Sequence, residues 1–376
     1  MSETQKHTKP NVPNLRFPGC SGEWKKSTLK NECIVNPKTE GLEKEFLYID
    51  LESVVKGQLV KQNIISRDEA PSRAQRVLSK WDIIYQCVRP YQLNNYIIRD
   101  DSTIQRVAST GYAQIRTKHN PDFIYQLLHT KGFTDQVINR CTGTNYPAIN
   151  SSDLSGIEIH FPSIQEQAQI GELLTLIDQR ISIQSKVIEK YESLIKALRR
   201  HIFSTIESEK EVTIADVLSY EQPTKYIVSD TEYSDNNGLT PVLTANKAFI
   251  LGYTEEVDGV YDKGPCIILD DFTLDSKIVD FPFKVKSSAI KILSAKEAVS
   301  LRYIFEYLKF LNLNTEEHKR HYIAEIEPMT MELPDEATIR SISNLFERAD
   351  LRREGLERDL HLLEKQKDYL LRALFI

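Results

Sequence analysis

A shift of 172 residues, with no gap, superimposes two stretches of this chain on each other. Pro162 falls on Pro334, Ile170 on Ile342, Leu173 on Leu345, Leu174 on Phe346, Asp178 on Asp350, Arg180 on Arg352, Glu192 on Glu364, Leu198 on Leu370, Arg200 on Arg372 and Phe203 on Phe375. A weaker similarity lies upstream at a slightly larger shift, where FIYQLL at 123–128 resembles YIFEYL at 303–308, and Val107 with Ser109 resembles Val285 with Ser287. A drifting shift is what loop insertions between two copies produce. The chain is expected to fold as globular segment, helix, globular segment, helix, with an internal pseudo-two-fold duplication.

Each copy ends in a heptad stripe. Positions 170, 174, 177, 181, 184, 188, 191, 195, 198 and 202 hold Ile, Leu, Ile, Ile, Gln, Ile, Tyr, Ile, Leu and Ile. Positions 342, 346, 349, 353, 356, 360, 363, 367, 370 and 374 repeat the pattern, with Arg353 and Lys367 as polar exceptions. Steps alternating between fours and threes define a coiled-coil seam. Only Gly171 interrupts good helix formers in the first copy, and Ser163 with Glu166 has the spacing of a capping box. A stripe this long needs a partner helix, and the other copy is the nearest candidate. The segment 209–333 lets the chain leave one helix and return to the other, which predicts antiparallel packing into a rod of about 50 Å. The expected divisions are a polar tail at 1–13, a globular domain at 14–163, a coiled-coil helix at 164–208, a second globular domain at 209–333 and a distal helix at 334–376.

Inside the globular segments, WDIIYQCV at 81–88 and PCIILDD at 265–271 predict buried strands. KNECIV, EFLYIDL, QRVAST, YAQIRT, FKVKSS and AIKILS are weaker strand signals, and apolar stretches at 123–138 and 301–312 predict helices. The fold class is therefore α+β: two α/β domains with mixed, largely antiparallel sheets, joined by two long antiparallel coiled-coil helices. No apolar run approaches the roughly 18 residues of a spanning helix. The polar start, MSETQKHTKPN, lacks a signal-peptide core, so a cytoplasmic protein is expected. Cys20, Cys33, Cys87, Cys141 and Cys266 are scattered and form no C-x-x-C pair, which points to plain thiols and no metal site.

No nucleotide-binding, hydrolase, methyltransferase or nuclease motif is present, so no catalytic residue is assigned. The net charge of −6 argues against a nucleic-acid ligand, but affinity for phosphate follows where the cations lie. Residues 14–163 carry 19 Lys and Arg against 16 Asp and Glu, whereas 209–333 carry 13 against 22. The second segment would have to bind DNA through local clusters. The candidate readers are cationic and amide side chains near aromatics in loops. In the first segment these are Arg73, Arg76, Arg89, Tyr91, Arg106, Thr144, Asn145 and Tyr146. In the second they are Lys225, Tyr226, Asn246, Lys247, Lys284, Lys286, Ser287, Ser288, Lys291, Lys319, Arg320 and His321. The acidic cluster of Asp270, Asp271 and Asp275 reads as a polar loop at a strand end, with the variant that a carboxylate accepts from a cytosine amino group.

The opening PNLRFPGCSGEWKKSTL, the central stretch from IHFPSIQEQ to LRRHIF and the terminal stretch from LPDEATIRS to LLRALFI resemble the specificity subunits of Type I restriction-modification systems. The resemblance runs in order along nearly the whole chain. It implies that the two globular domains are target recognition domains for a bipartite site in double-stranded DNA. It also implies pairing with two modification subunits as an adenine methyltransferase, and with restriction subunits as an ATP-dependent nuclease. S-adenosylmethionine, ATP and Mg²⁺ would then belong to those partners and none to this chain. The alternative is a coiled-coil scaffold or accessory DNA-binding protein that organises other subunits without reading sequence.

Overall fold

The computed structural model describes residues 11–376 except 39, 40, 246, 247, 297, 298, 314, 316 and 318. The chain divides into two compact units, one formed by the residues up to Ser185 together with Asp359–Ile376, the other by Lys186–Arg358. The division cuts through both long helices, Ile164–Thr205 and Glu336–Leu374. Each unit thus owns the beginning of one long helix and the end of the other.

In the first unit an all-antiparallel sheet runs in the order Cys33–Val35, Tyr112–Thr117, Ile83–Gln86, Tyr96–Ile97. Residues 83–86 are buried on both faces, which is why their sequence is continuously apolar apart from Gln86. A second sheet, in the order Asn63–Ser66, Glu45–Ile49, Arg106–Ser109, Ala74–Leu78, contains one parallel pair, between residues 106–108 and 47–49. The second unit repeats this plan. Its main sheet is ordered Leu218–Glu221, Ile290–Ala295, Cys266–Asp270, Ser276–Val279, and its smaller sheet also has a parallel pair, 242–243 with 284–285. Each unit is closed by a two-stranded ribbon of matching register, Lys25 opposite Phe161 in the first and Lys210 opposite Leu333 in the second. The duplication legible at 162–203 and 334–375 therefore extends over the sheets.

The predicted helix at 123–138 is two helices, Pro121–Leu127 and Lys131–Ile138, because Thr130 caps a new N-terminus by accepting from the Phe133 amide. The corresponding helix of the second unit, Leu301–Leu311, is unbroken and capped by Ser300. Every seam position of the two long helices is buried or half-buried. The deepest lie where the helices enter the domain cores. Ile170, Leu174 and Ile177 pack with Trp24, Phe123, Leu371, Leu374 and Phe375 in the first unit, and Phe203 with Tyr303, Ile339, Ile342 and Phe346 in the second. The stripe therefore serves the globular domains as well as a helix partner, a role that periodicity alone did not reveal. Within the first unit Lys367 pairs with Asp178 at 2.6 Å. Within the second the Tyr191 hydroxyl donates to the Ala349 carbonyl and the Arg199 guanidinium lies over the Phe346 ring at 5.3 Å, so there the two segments run in opposite directions. The polar exceptions in the second seam are answered by partners: Asp178 for Lys367, and Glu357 at 2.7 Å for Arg353.

Half of the expected capping box forms. The Ser163 hydroxyl accepts from the Glu166 amide, but the Glu166 carboxylate, buried, turns to Arg16 at 2.6 Å instead of reaching back. Gly171 also finds its reason. A Cβ there would lie 2.8 Å from Asn120 Oδ1 and 2.9 Å from the Phe123 nitrogen, so the capped end of Pro121–Leu127 rests directly on the long helix. In the second unit Ser343 stands 172 residues on and meets the cap residue Ser300, hydroxyl to hydroxyl at 2.8 Å. Among the described residues no helix is long and apolar enough to cross a membrane, and no group of three or more His, Cys, Asp or Glu could hold a metal ion.

Candidate nucleic-acid interface

One end of each unit is laced by the same backbone ladder. In the first, the Cys87 amide donates to the Gly111 carbonyl and the Ile149 amide to the Cys87 carbonyl, while Thr110 donates to Arg73. In the second, the two corresponding bonds run from the Asp271 amide to Ala289 and from the His321 amide to Asp271, while Lys286 donates to Leu243 at the end of the parallel pair, a bond that does not correspond to that of Thr110 with Arg73. A strand end, a turn between the two sheets and a late loop are thereby brought to one rim. The candidates Arg73, Arg89, Tyr91, Thr144, Asn145 and Tyr146 gather at that rim in the first unit, and Lys286, Ser287, Ser288, Lys319, Arg320 and His321 in the second.

The first rim is held by a buried amide. The Gln86 side chain donates to the Val88 carbonyl and the Gln92 amide oxygen, each at 2.8 Å, and accepts from the Asn94 nitrogen. It fixes a short turn, Pro90–Gln92, bracketed by two left-handed residues, Arg89 at φ 53° and Leu93 at φ 54°. A non-glycine residue in that region costs about 1–2 kcal/mol, so the Arg89 conformation is imposed by its surroundings. The Arg89 amide donates to the Pro147 carbonyl, and its guanidinium sits over the Tyr146 ring at 4.4 Å. Tyr91 and Tyr146 are exposed, as are Thr144 and Asn145. Arg73 is exposed in the turn before Ala74–Leu78.

At the second rim, Lys286, Ser287 and Ser288 are exposed in the turn between the two sheets. Arg320 lies over the Phe272 ring at 5.8 Å, and its Nη2 is 3.4 Å from Ser288 Oγ. Lys319 is exposed but held between Glu317 and Glu325, whose carboxylates raise its pKa.

Several candidates are turned inward and are corrected. Lys284 is only 3% exposed, where its ammonium pairs with Glu256 and donates to the Asp258 carbonyl. Lys291 is equally buried, between Asp271 and the Tyr220 hydroxyl. Tyr226 is a core residue whose hydroxyl donates to Glu221. Burial opposes ionisation of that carboxyl, yet Lys225, Lys263 and Tyr226 together hold it down at about 2, which occupies Lys225. The His321 ring is buried against Glu325, which raises its pKa. In the first unit Arg106 is clamped by both oxygens of Asp100, away from the rim, and Arg76 is half-buried, its guanidinium pKa lowered by burial. Asn246 and Lys247 lie outside the described residues. The acidic cluster is not a base reader either. Asp270 accepts from the Phe272 and Thr273 amides, and Asp271, buried, accepts from His321 and Tyr322. For Lys284, Lys291 and Asp271 the cause is the same, since a buried charge must be paired within the fold. Sequence reading missed Phe272, whose ring lay unnoticed in the stretch singled out for its acids.

Residues 25–193 match a family described as Type I restriction modification DNA specificity domain. The chain is 42% identical over 127 residues to the EcoR124I/EcoR124II specificity subunit of Escherichia coli, covering 32% of this chain and 31% of that protein. It is 23% identical over 183 residues to the HindI specificity subunit of Haemophilus influenzae, covering 47% and 40%. The aligned regions thus span well under half the length of these relatives. In fold, it is similar to a Type I restriction-modification S subunit from M. genitalium, with a TM-score of 0.64 and 17% identity over 97% of this chain and 99% of that one.

Proposed function

We propose, on the premise that residues 25–193 belong to the Type I restriction modification DNA specificity domain family, that the chain reads one bipartite DNA target, one block with each unit. The observation that carries this reading is the recurrence in both units of the same two backbone hydrogen bonds, each time bringing cationic side chains and an aromatic ring together from a strand end, a turn and a loop. Residues 194–376 lie beyond the family match, and the repeated sheet order supports the same role for the second unit. In this reading the chain catalyses nothing. Two modification subunits bring S-adenosylmethionine, restriction subunits bring ATP and Mg²⁺, and the long helices hold them.

The test is methyl transfer from labelled S-adenosylmethionine to a pool of randomised DNA duplexes, by the full chain with and without its modification subunit. Methylation is expected only with both proteins, and only on duplexes carrying two short fixed blocks separated by unread base pairs. Transfer by the single chain would overturn the non-catalytic role. Methylation without sequence preference would leave the chain a scaffold.

A further inference from the structure

Both rims hold one guanidinium over one aromatic ring, but the two partners are exchanged between the segments that supply them. In the first unit the arginine, Arg89, comes from the strand end two residues after Cys87, and the ring, Tyr146, from the late loop three residues before Ile149. In the second the ring, Phe272, follows Asp271 at the strand end, and the arginine, Arg320, precedes His321 in the loop. Cys87 and Asp271 are the corresponding residues of the ladder, as are Ile149 and His321. The juxtaposition therefore recurs although the residues making it do not correspond, which is unexpected for a by-product of shared sequence.

We infer that Arg89 and Arg320 are the specificity-determining residues of the two units, each reading a guanine through its O6 and N7 acceptors; this rests on the DNA-reading function proposed above. The planar fork of arginine matches those two acceptors, which the point charge of lysine does not. Holding the guanidinium over a ring before DNA arrives fixes its plane and limits the side-chain freedom lost on binding. Arg89 is half-buried, its guanidinium over the ring. Arg320 is 52% exposed; of its five N–H groups it uses one on Ser288 and pairs loosely with Asp271 at 3.9 Å, which leaves donors for a base. Among the described candidates, Arg106, Lys225, Lys284, Lys291 and Lys319 are committed within the fold, Arg76 is half-buried, and Arg73 and Lys286 are exposed without a ring and suited to phosphate.

The experiment uses the full chain with its modification subunit and a panel of duplexes in which every pair of the preferred target is changed in turn. Arg89→Lys is expected to lose about ten- to hundred-fold discrimination at one G·C pair of one block and to leave the other block unchanged, and Arg320→Lys to do the reverse. Tyr146→Ala and Phe272→Ala, which keep the arginine and remove its platform, should weaken discrimination at those same pairs by several-fold. Uniform weakening on all duplexes by the lysine variants, at unchanged melting temperature, would make these arginines phosphate contacts and overturn the assignment. Unchanged discrimination would do the same. If the wild-type complex itself shows no sequence preference, the DNA-reading function falls and the assignment with it, an outcome distinct from failure of the arginines alone.

Discussion

His129 lies part-buried in the first unit, its Nδ1 2.7 Å from the Tyr125 carbonyl and its Nε2 3.3 Å from the Asn95 amide nitrogen. Burial, aided by the Lys367 ammonium, pushes its pKa down to about 4, while the Asp178 carboxylate pulls the other way. The unfolded chain takes up this proton near 6.5 and the folded unit only near 4, so the neutral ring stabilises the fold above about 6.5, and that contribution is lost as pH falls toward 4. His129→Gln should flatten this acid branch of the stability curve, and Lys367→Met should raise the ring pKa, both visible in the imidazole resonances and in denaturant melts against pH. His321 has the opposite sign. Glu325 raises its pKa, so its contribution is full below about 6.5 and fades as pH rises through the folded value. Lys284 shows how burial decides the role of a residue. Glu256→Ala would leave that ammonium buried beside only the Asp258 carbonyl and should cost about 3 kcal/mol in a denaturant melt, whereas Lys286→Met should stay within about 0.5 kcal/mol and instead reduce the salt dependence of DNA binding.

At the scale of elements, the contact between each domain helix and a long helix is set by one small residue. Replacing glycine by alanine inside a helix ordinarily stabilises it by about 1 kcal/mol. Gly171→Ala should instead destabilise the first unit by about 1–3 kcal/mol, because the new methyl would meet the backbone of Phe123 and the cap Asn120. A gain in stability would show that the two helices do not touch there. The seam gives a second contrast within a single turn. Leu174 is fully buried, so Leu174→Ala should cost about 2–5 kcal/mol, while Leu176, half exposed on the same helix, should cost about 0.5 kcal/mol or less. Equal losses in chemical denaturation would mean that the stripe is not what the helix buries.

For the whole molecule, duplication means that two cores of the same plan are each completed by segments of both long helices. Exchange of residues 209–333 for the corresponding segment of a relative with a different target should alter one block of the recognised sequence and preserve the other, read by mapping methylated adenines. A change in both blocks, or in neither, would contradict independent reading. The charge difference adds an expectation. The second segment carries the excess of acidic residues, so an exchanged chain bearing a basic second domain should bind DNA more tightly at all sequences and with a steeper salt dependence.

Sequence alone determined the features that depend on periodicity and order: the repeat, the two long helices and the seam with its polar exceptions, because a helical face is a local property of spacing. It also marked the strands at 83–86 and 266–270, whose burial on both faces keeps them apolar up to their last residues, Gln86 and Asp270. It could not decide which cations face solvent. Lys284 and Lys286 stand two residues apart and so should share a face of an extended strand. The strand ends at Val285, however, and only Lys284 meets a carboxylate brought by the distant residue 256. The split of 123–138 was equally hidden, since a cap is a single hydroxyl at Thr130. The pairing of Arg89 with Tyr146, and of Arg320 with Phe272, joins segments 57 and 48 residues apart. Only tertiary structure, through the hydrogen bonds of Cys87 with Ile149 and Asp271 with His321, could place each guanidinium on its ring.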